Sequence, residues 1–577
     1  MMTNTDQPSI IHYICLISLI IFMGLFYQEA WQYPVIDSFP LIERLLDPSF
    51  LPMDFYSNTF SDFSPRLILA KCISTSSELT GIHYTYIVGY GNILRIWLYA
   101  IGLYLFFRQL TNHNTALVAF TLAALSFLSV PFLPAWWPVT FDFTASNVAL
   151  TFSMFAWLFI LRDKVATSLL LLSASVLIHP LVGVHSLIIS LIIYTSYHGL
   201  NRFIALFKKP ILYIFGGLYM AIFIAIYLSF DKVLDDQRFV EINGLYRHAH
   251  HFIFSHMDIE KWASTFIMLF ISSWLLFRLD IDQRIKRLCL SIFVYTLLLT
   301  AMGYVFIELI PTRFMVSFIP MRAFPILVPL IIIVWATLAL KLLKDKNILG
   351  FYALFLPFLP YNKIGLTWYI FPDSHELTLP IIMIFLSIFI AYICSLNIAL
   401  IKSFNIALSN MIKSSKYDFK TALLVIPLAI PALTLSIYKM NIDIPDINNE
   451  PEVYQWLKHN TDENSIVMAE LNGANNQKLR LLSNRAVVVS KDFPFNEKYY
   501  EEWFSRYQSI YIDRENARGN IDKLSANEIK NLMTLYDSNI LVRTKRIKPN
   551  PSFELIGEPQ GEKGPAYIYQ FHKLGDL

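Results

Sequence analysis

The sequence predicts an α-helical polytopic membrane protein of about 13 transmembrane helices with a small C-terminal α/β domain. Three observations carry that reading. Of 577 residues, 55% are hydrophobic and only 15% are charged, against about 25% charged in an ordinary soluble domain. A soluble chain of this length needs an extensive polar exterior, and a mean hydropathy of +0.49 excludes one. Apolar runs of spanning length recur through residues 1–440, and residues 441–577 have the composition of a water-soluble domain. A soluble multi-domain enzyme, a disordered chain and a disulfide scaffold are thereby excluded.

In chain order the apolar runs fall at 10–28, 88–107, 114–133, 144–161, 165–178, 183–198, 210–229, 262–278, 288–307, 324–341, 348–361, 379–401 and 421–438. The first is read as a retained helix, since no basic n-region precedes it and Gln28-Glu29-Ala30-Trp31 is a poor cleavage site. The fifth and sixth meet at His179-Pro180, where proline breaks the helix and permits a tight hairpin. One set of alternate loops holds about 17 Lys and Arg residues, against about 10 in the longer second set. The positive-inside rule puts the first set in the cytoplasm of a bacterial inner membrane. The N-terminus is then cytoplasmic, while the long first loop (29–87), the loops at 231–261 and 308–323, and the tail are periplasmic.

Within the tail, 465–469, 486–490, 539–543 and 566–571 suit strands, and 452–459, 496–508 and 525–536 suit helices. No internal repeat is evident, which counts against an inverted-repeat transporter. A net charge of +3, with basic residues in small separate groups, leaves no nucleic-acid footprint. Cys15, Cys289 and Cys394 lie in apolar runs and only Cys72 in a polar one, so no extracytoplasmic disulfide is expected.

Ionisable residues concentrate at the periplasmic span ends. Asp37, a few residues past the first span, is held near the membrane surface, where a carboxylate can deprotonate an acceptor hydroxyl or ligate a divalent cation, Mg or Mn. The alternative is a turn or N-cap aspartate, given Ser38 and Pro40. Asp54 and Asp62 add carboxylates to the same loop, with turn formation as their alternative. Residues 39–46 read as a short interfacial helix. Asp142 follows Trp136-Trp137, whose indoles suit interfacial anchors, and it can complete a site with Asp37.

His179 and His185 flank the hairpin at membrane depth; they are functional candidates or helix-end histidines. Arg247, His250 and His251 in the 231–261 loop suit a phosphate or sugar, or a transition metal. Arg313 and Arg322 oppose the positive-inside bias, which asks for a reason. Arg313 has Glu308 as a local partner, and Arg322, without one, suits a lipid-linked phosphate.

This layout resembles the GT-C superfamily of membrane glycosyltransferases, and closer still an uncharacterised bacterial family of GT-C-like membrane proteins. The matching pieces are Leu46-Asp47-Pro48 with Asp54, His179-Pro180, and Arg247-x-x-His250-His251. In the tail they are Trp456 to Thr461, Arg485 to Val489, and Glu502 to Arg506. The resemblance implies transfer of a sugar from a polyprenyl-phosphate-linked donor to a glycan, lipid or protein acceptor. Asp37 corresponds in position to the first-loop catalytic acid, with Asp54 and Asp142 as further catalytic candidates. His179, Arg247, His250, His251, Arg313 and Arg322 are the substrate-binding candidates. The chain departs from the family in lacking an adjacent Asp-Glu pair, an Asp-x-Asp in the second outer loop and a Trp-Trp-Asp in the tail. These absences argue against N-glycosylation. The competing readings are a lipid-linked glycan flippase and a GT-C-shaped scaffold without catalysis.

Overall fold

The computed structural model describes residues 10–26, 38–61, 66–126, 143–228, 231–247, 253–256, 259–345, 347–358, 386–393, 403, 406, 451–469, 473–490, 492–510, 521–561 and 564–572. The expected spans at 379–401 and 421–438 lie largely or wholly outside these residues, as do Asp37, Asp62, Asp142, His250 and His251.

The longer helices of the bundle are α1 (Ile10–Phe26), α2 (Phe39–Leu46), α3 (Leu67–Thr80), α4 (Tyr84–Leu110), α5 (His113–Ser126), α6 (Ala145–Leu161), α7 (Val165–Ile178), α8 (Pro180–His198), α9 (Pro210–Leu228), α10 (Ile259–Arg278), α11 (Gln283–Gly303) and α12 (Leu327–Lys344). Among the described residues, five helices are long and apolar enough to cross a membrane: Tyr84–Leu110, Pro180–His198, Pro210–Leu228, Gln283–Leu309 and Arg313–Lys344. Four shorter apolar helices accompany them. The chain is a multi-pass membrane protein.

Its packing follows from the absence of a hydrophobic drive between helices in lipid, where close contact and hydroxyl hydrogen bonds take over. Ser168 Oγ donates to Ala156 O at 2.9 Å, and the Ser153 and Ser175 hydroxyls meet at 3.0 Å, joining α6 to α7. Pro180 occupies the first turn of α8, where its missing N–H costs nothing. Gly183 lets α8 fold back tightly: the backbone N and Cα of Val176 lie within 2.6 Å of where a Cβ would stand. At the centre, α12 buries nearly every residue from Leu327 to Ala336. By contrast α9 buries only Tyr219, and the rest of its surface suits lipid.

The tail holds α13 (Glu452–Asn460), α14 (Gly473–Ser483), α15 (Tyr500–Ile510) and α16 (Ala526–Leu535) around a sheet. Its strands are β1 (Ile466–Ala469), β2 (Ala486–Val487), β3 (Ile540–Arg543), β4 (Phe553–Gly557), β5 (Gln560–Gly561), β6 (Gly564–Pro565) and β7 (Tyr567–Phe571). Five of them form the order β2-β1-β3-β7-β4, and β5 pairs with β6. β1 runs parallel to β2 and β3, whereas β7 is antiparallel to β3 and β4. The all-buried pattern of β1 and β3 fits inner strands covered on both faces. Ser525 and Glu528 form a capping box on α16.

One apolar cluster joins Phe39, Leu41 and Ile42 of α2 and Tyr84 of α4 to Leu481 of the tail. The first loop and the tail therefore share a core at one end of the bundle.

Candidate functional site

Two polar junctions fix the tail to that end. In the first, Asp54 is fully buried. Its Oδ2 caps the Phe55–Asn58 helix by accepting from Ser57 N at 2.8 Å. Its Oδ1 accepts from Arg480 Nε at 2.9 Å and from Val487 N at 3.2 Å. Arg480, on α14, also pairs with Asp492, donates to Ser490 Oγ at 3.1 Å and lies 5.0 Å over the Tyr56 ring. Burial opposes the Arg480 charge, but Asp54 and Asp492 outweigh it and hold the guanidinium well above its ordinary range. With no exposure and both oxygens engaged, Asp54 has the geometry of an anchor, which is the turn-forming alternative extended by a remote arginine.

In the second junction, Arg313 pairs with Glu497 and with Asp236 (3.1 Å), donates to Leu234 O, and lies 4.4 Å over the Phe239 ring. Glu497 Oε1 also accepts from the backbone N–H groups of Val233 and Leu234. The sequence-local partner is not used. Glu308 instead accepts from Phe254 N and Ser255 N at 2.6 and 3.1 Å, because a carboxylate that caps loop N–H groups is geometrically committed. Beside this strut, Arg238 clamps Glu501 through two hydrogen bonds of 2.6 and 2.7 Å.

These pairs carry a pH dependence. The hydrogen bonds from Arg238 hold Glu501 below the usual carboxylate range, and the hydrogen bond from Arg313 does the same for Asp236. Both carboxyls are depressed on folding, so their contribution is fully present above an unfolded value of about 4 and is lost as pH falls through the lower folded values. Amide protection in 231–247 is expected to fall below about pH 4 and to return on neutralisation. Both carboxylates are largely solvated, so the effect is modest, and high salt imitates it at neutral pH. Protection factors that stay flat from neutral pH to acid would contradict this.

Between the two junctions lies a cationic centre. Arg66, Arg247 and Arg322 come from the first loop, the 231–247 segment and the turn before α12; Arg322 feels the charge of both others, and Arg66 and Arg247 both lie over the Phe495 ring. His179 senses Arg66, Arg322 and His185 in the same way. Two tail aromatics face the group: Arg247 lies 4.5 Å over Phe493, and Arg66 lies 4.9 Å over Phe495.

The backbone here is irregular. Arg247 ends a π-helix, Val240–Arg247, and donates to Asn243 Oδ1 at 3.0 Å. A second π-helix, Tyr304–Leu309, follows α11. Such segments are rare and concentrate at functional sites. Ile319 has φ 47°, a costly left-handed conformation for a β-branched residue, immediately before the 3-10 turn Pro320–Ile326 that carries Arg322. Arg322 also lines a narrow cleft into the bundle with Asn147, Trp157, Val182, Ser186 and Met321.

The two hairpin histidines differ. His179 Nδ1 accepts from Val182 N at 3.3 Å, so it caps α8. His185 is buried, with Nε2 2.8 Å from Phe318 O, tying α8 to the segment just before the Arg322 turn. The structure thus brings Arg247, Arg322 and His179 together, and sets Arg313 and Asp54 apart as anchors. Sequence reasoning missed Arg66, Phe493, Arg480, Asp492 and Glu497. It also passed over Arg95, buried inside α4 with its Nε 3.0 Å from Asn92 Oδ1, although an arginine within an expected span is itself a signal. Among the described residues, no three His, Cys, Asp or Glu side chains are grouped to hold a metal ion.

Residues 448–510, which hold Arg480, Phe493 and Glu497, match the family described as Domain of unknown function (DUF6798). No curated protein matches the chain. Among solved structures, ArnT from Cupriavidus metallidurans bound to undecaprenyl phosphate is similar over 97% of this chain and 98% of its own, at 10% identity and a TM-score of 0.49. The oligosaccharyltransferase AglB from Archaeoglobus fulgidus, in complex with an inhibitory peptide and a dolichol-phosphate, is similar over 92% of this chain and 69% of its own, at 10% identity and a TM-score of 0.45. These structural neighbours are GT-C superfamily glycosyltransferases.

Proposed function

We propose that this protein is a GT-C-type glycosyltransferase of the bacterial inner membrane. It moves a sugar from a polyprenyl-phosphate-linked donor to a glycan, lipid or protein acceptor at the periplasmic surface. The observation that carries the reading is the convergence of Arg66, Arg247 and Arg322 where the first loop, the 231–247 segment and the tail meet. Guanidinium groups offer planar, paired donors that suit phosphate oxygens. Placed at the end of the bundle, they can stabilise charge on a departing lipid phosphate while its prenyl chain stays in the bilayer.

Asp37 is the proposed base. It takes the acceptor hydroxyl proton as the acceptor oxygen bonds to the anomeric carbon, and the bond from that carbon to the phosphate oxygen breaks on the opposite face, inverting the centre. Asp142 and the imidazoles of His250 and His251 are assigned to the acceptor side. A divalent cation, Mg or Mn, enters the proposal only through Asp37 and Asp142, and transfer that survives chelation would remove it.

The test compares surface glycans and lipid-linked intermediates by mass spectrometry in a deletion strain restored with wild type or with Asp37→Asn at equal membrane abundance. Wild type is expected to return one missing sugar, and Asp37→Asn is expected to lower that return by about a hundredfold or more. Full restoration by Asp37→Asn would make it a turn residue and refute the site. The second reading, a lipid-linked glycan flippase, draws on Arg95, an ionisable group deep within α4. Intact lipid-linked glycan accumulating on the cytoplasmic leaflet of the deletion strain would favour it.

A further inference from the structure

At the opposite end of the bundle, α8 and α11 enclose an open groove of about 590 Å³. Its walls include Leu191 and Ile192 of α8 and Val294, Tyr295 and Leu298 of α11. Leu191, Val294 and Leu298 are 40%, 53% and 58% exposed, so the groove opens sideways, toward lipid. The α11 sequence continues the same face to the helix end: Arg284, Arg287, Ser291, Val294, Tyr295 and Leu298 follow the three- and four-residue spacing of one stripe. The stripe is therefore cationic at its mouth, hydroxylated one turn deeper and apolar beyond.

Contacts at the mouth match this order. Arg287 Nε donates to Ser196 O at 3.3 Å, and Ser196 lines the groove. That bond uses one of the five guanidinium N–H donors. Arg284 lies 5.1 Å over the Tyr197 ring and pairs with Asp282 at 2.9 Å; Asp282 also feels the charge of Arg287, so two arginines share one carboxylate and the mouth keeps a net positive charge. With a helical rise of about 1.5 Å per residue, Ser291 sits roughly 6 Å and Leu298 roughly 16 Å beyond Arg287.

We infer that this groove binds one anionic glycerophospholipid from the leaflet that the basic helix ends face. Its phosphodiester lies against Arg287 and Arg284, its glycerol-ester region is level with Ser291, and an acyl chain lies along Leu191, Val294 and Leu298. The charge complementarity is a single phosphodiester against two arginines that share one carboxylate, and basic pockets between transmembrane helices recognise lipid headgroups in this way. The site is at the far end from the cationic centre, and it stands whether or not the chain transfers sugar.

The test reads lipid and no transfer. Full-length protein is placed in nanodiscs of equal phosphatidylglycerol and phosphatidylcholine, and the lipid retained on release is counted by native mass spectrometry. Wild type is expected to retain phosphatidylglycerol over phosphatidylcholine by about tenfold. Arg287→Gln and Val294→Trp are each expected to lower that retention about fivefold, the first by charge and the second by filling the groove. Phe270→Trp, on an exposed position of α10, is expected to change nothing. Equal retention of the two lipids, or retention unchanged in both groove variants, would overturn the assignment. Displacement of phosphatidylglycerol by an equimolar polyprenyl phosphate would overturn the choice of a glycerophospholipid.

Discussion

Replacing Arg480 by methionine is expected to destabilise the junction between the tail and the first loop by about 3–5 kcal/mol. The cause is the pair of carboxylates left behind. Asp54 and Asp492 are fully buried on either side of the guanidinium, and its loss strips both of that cation. The measurement is protease susceptibility of full-length protein in detergent, with new cleavage expected in 47–61 and 484–492 while the transmembrane fragments persist. Asp54→Asn with Asp492→Asn, added to Arg480→Met, is expected to recover much of the loss by removing the uncompensated charges. An Arg480→Met protein as resistant as wild type would mean that the junction does not depend on this triad.

The second large effect concerns the cationic centre. Arg322→Gln and Arg247→Gln are each expected to weaken binding of a polyprenyl phosphate by about 10- to 100-fold, the range of one lost charge-assisted hydrogen bond. Arg247→Lys is expected to recover only part of this, since an ammonium keeps the charge and loses the planar paired donors. Calorimetric titration of the purified protein with undecaprenyl phosphate reads these losses directly. Arg313→Gln serves as a comparison: its contacts run to Glu497, Asp236 and Leu234, so it is expected to loosen the 231–247 segment first. Unchanged affinity in both Arg247 and Arg322 variants would remove both arginines from the proposed phosphate site.

What the sequence made legible follows from how each feature is encoded. Spans are local, and hydropathy alone recovered 165–178 to the residue and 144–161 and 210–229 to within one. Span ends were less legible. The helix expected at 288–307 begins at Gln283, because Arg284 and Arg287 are carried on a helical turn that a hydropathy window discards. The run expected at 324–341 begins as helix at Arg313 and passes through a proline-bearing 3-10 turn that periodicity does not describe. For the site, Arg322 stood out because it opposed the charge bias of its loop. Arg66 did not, since one arginine in a long polar loop carries no such contrast. The partners of Asp54 and Arg313 were illegible for a different reason: they lie 426 and 184 residues away in sequence. For Arg313 the reading preferred Glu308, five residues distant, where the structure uses Glu497.

The same separations bear on how the protein is made. Asp54 emerges from the ribosome early, and its cation only after most of the chain has followed. Until the tail has folded against it, the first loop holds a carboxylate destined for the interior without the arginine that pairs with it. Closing a contact over 426 residues costs more loop entropy than closing any helix pair in the bundle, though the cost rises only logarithmically with length. The tail thus seals a surface that the segments before it in the chain cannot seal for themselves. Nascent chains stopped short of Arg480 would form their helices yet leave that loop open and acid-bearing.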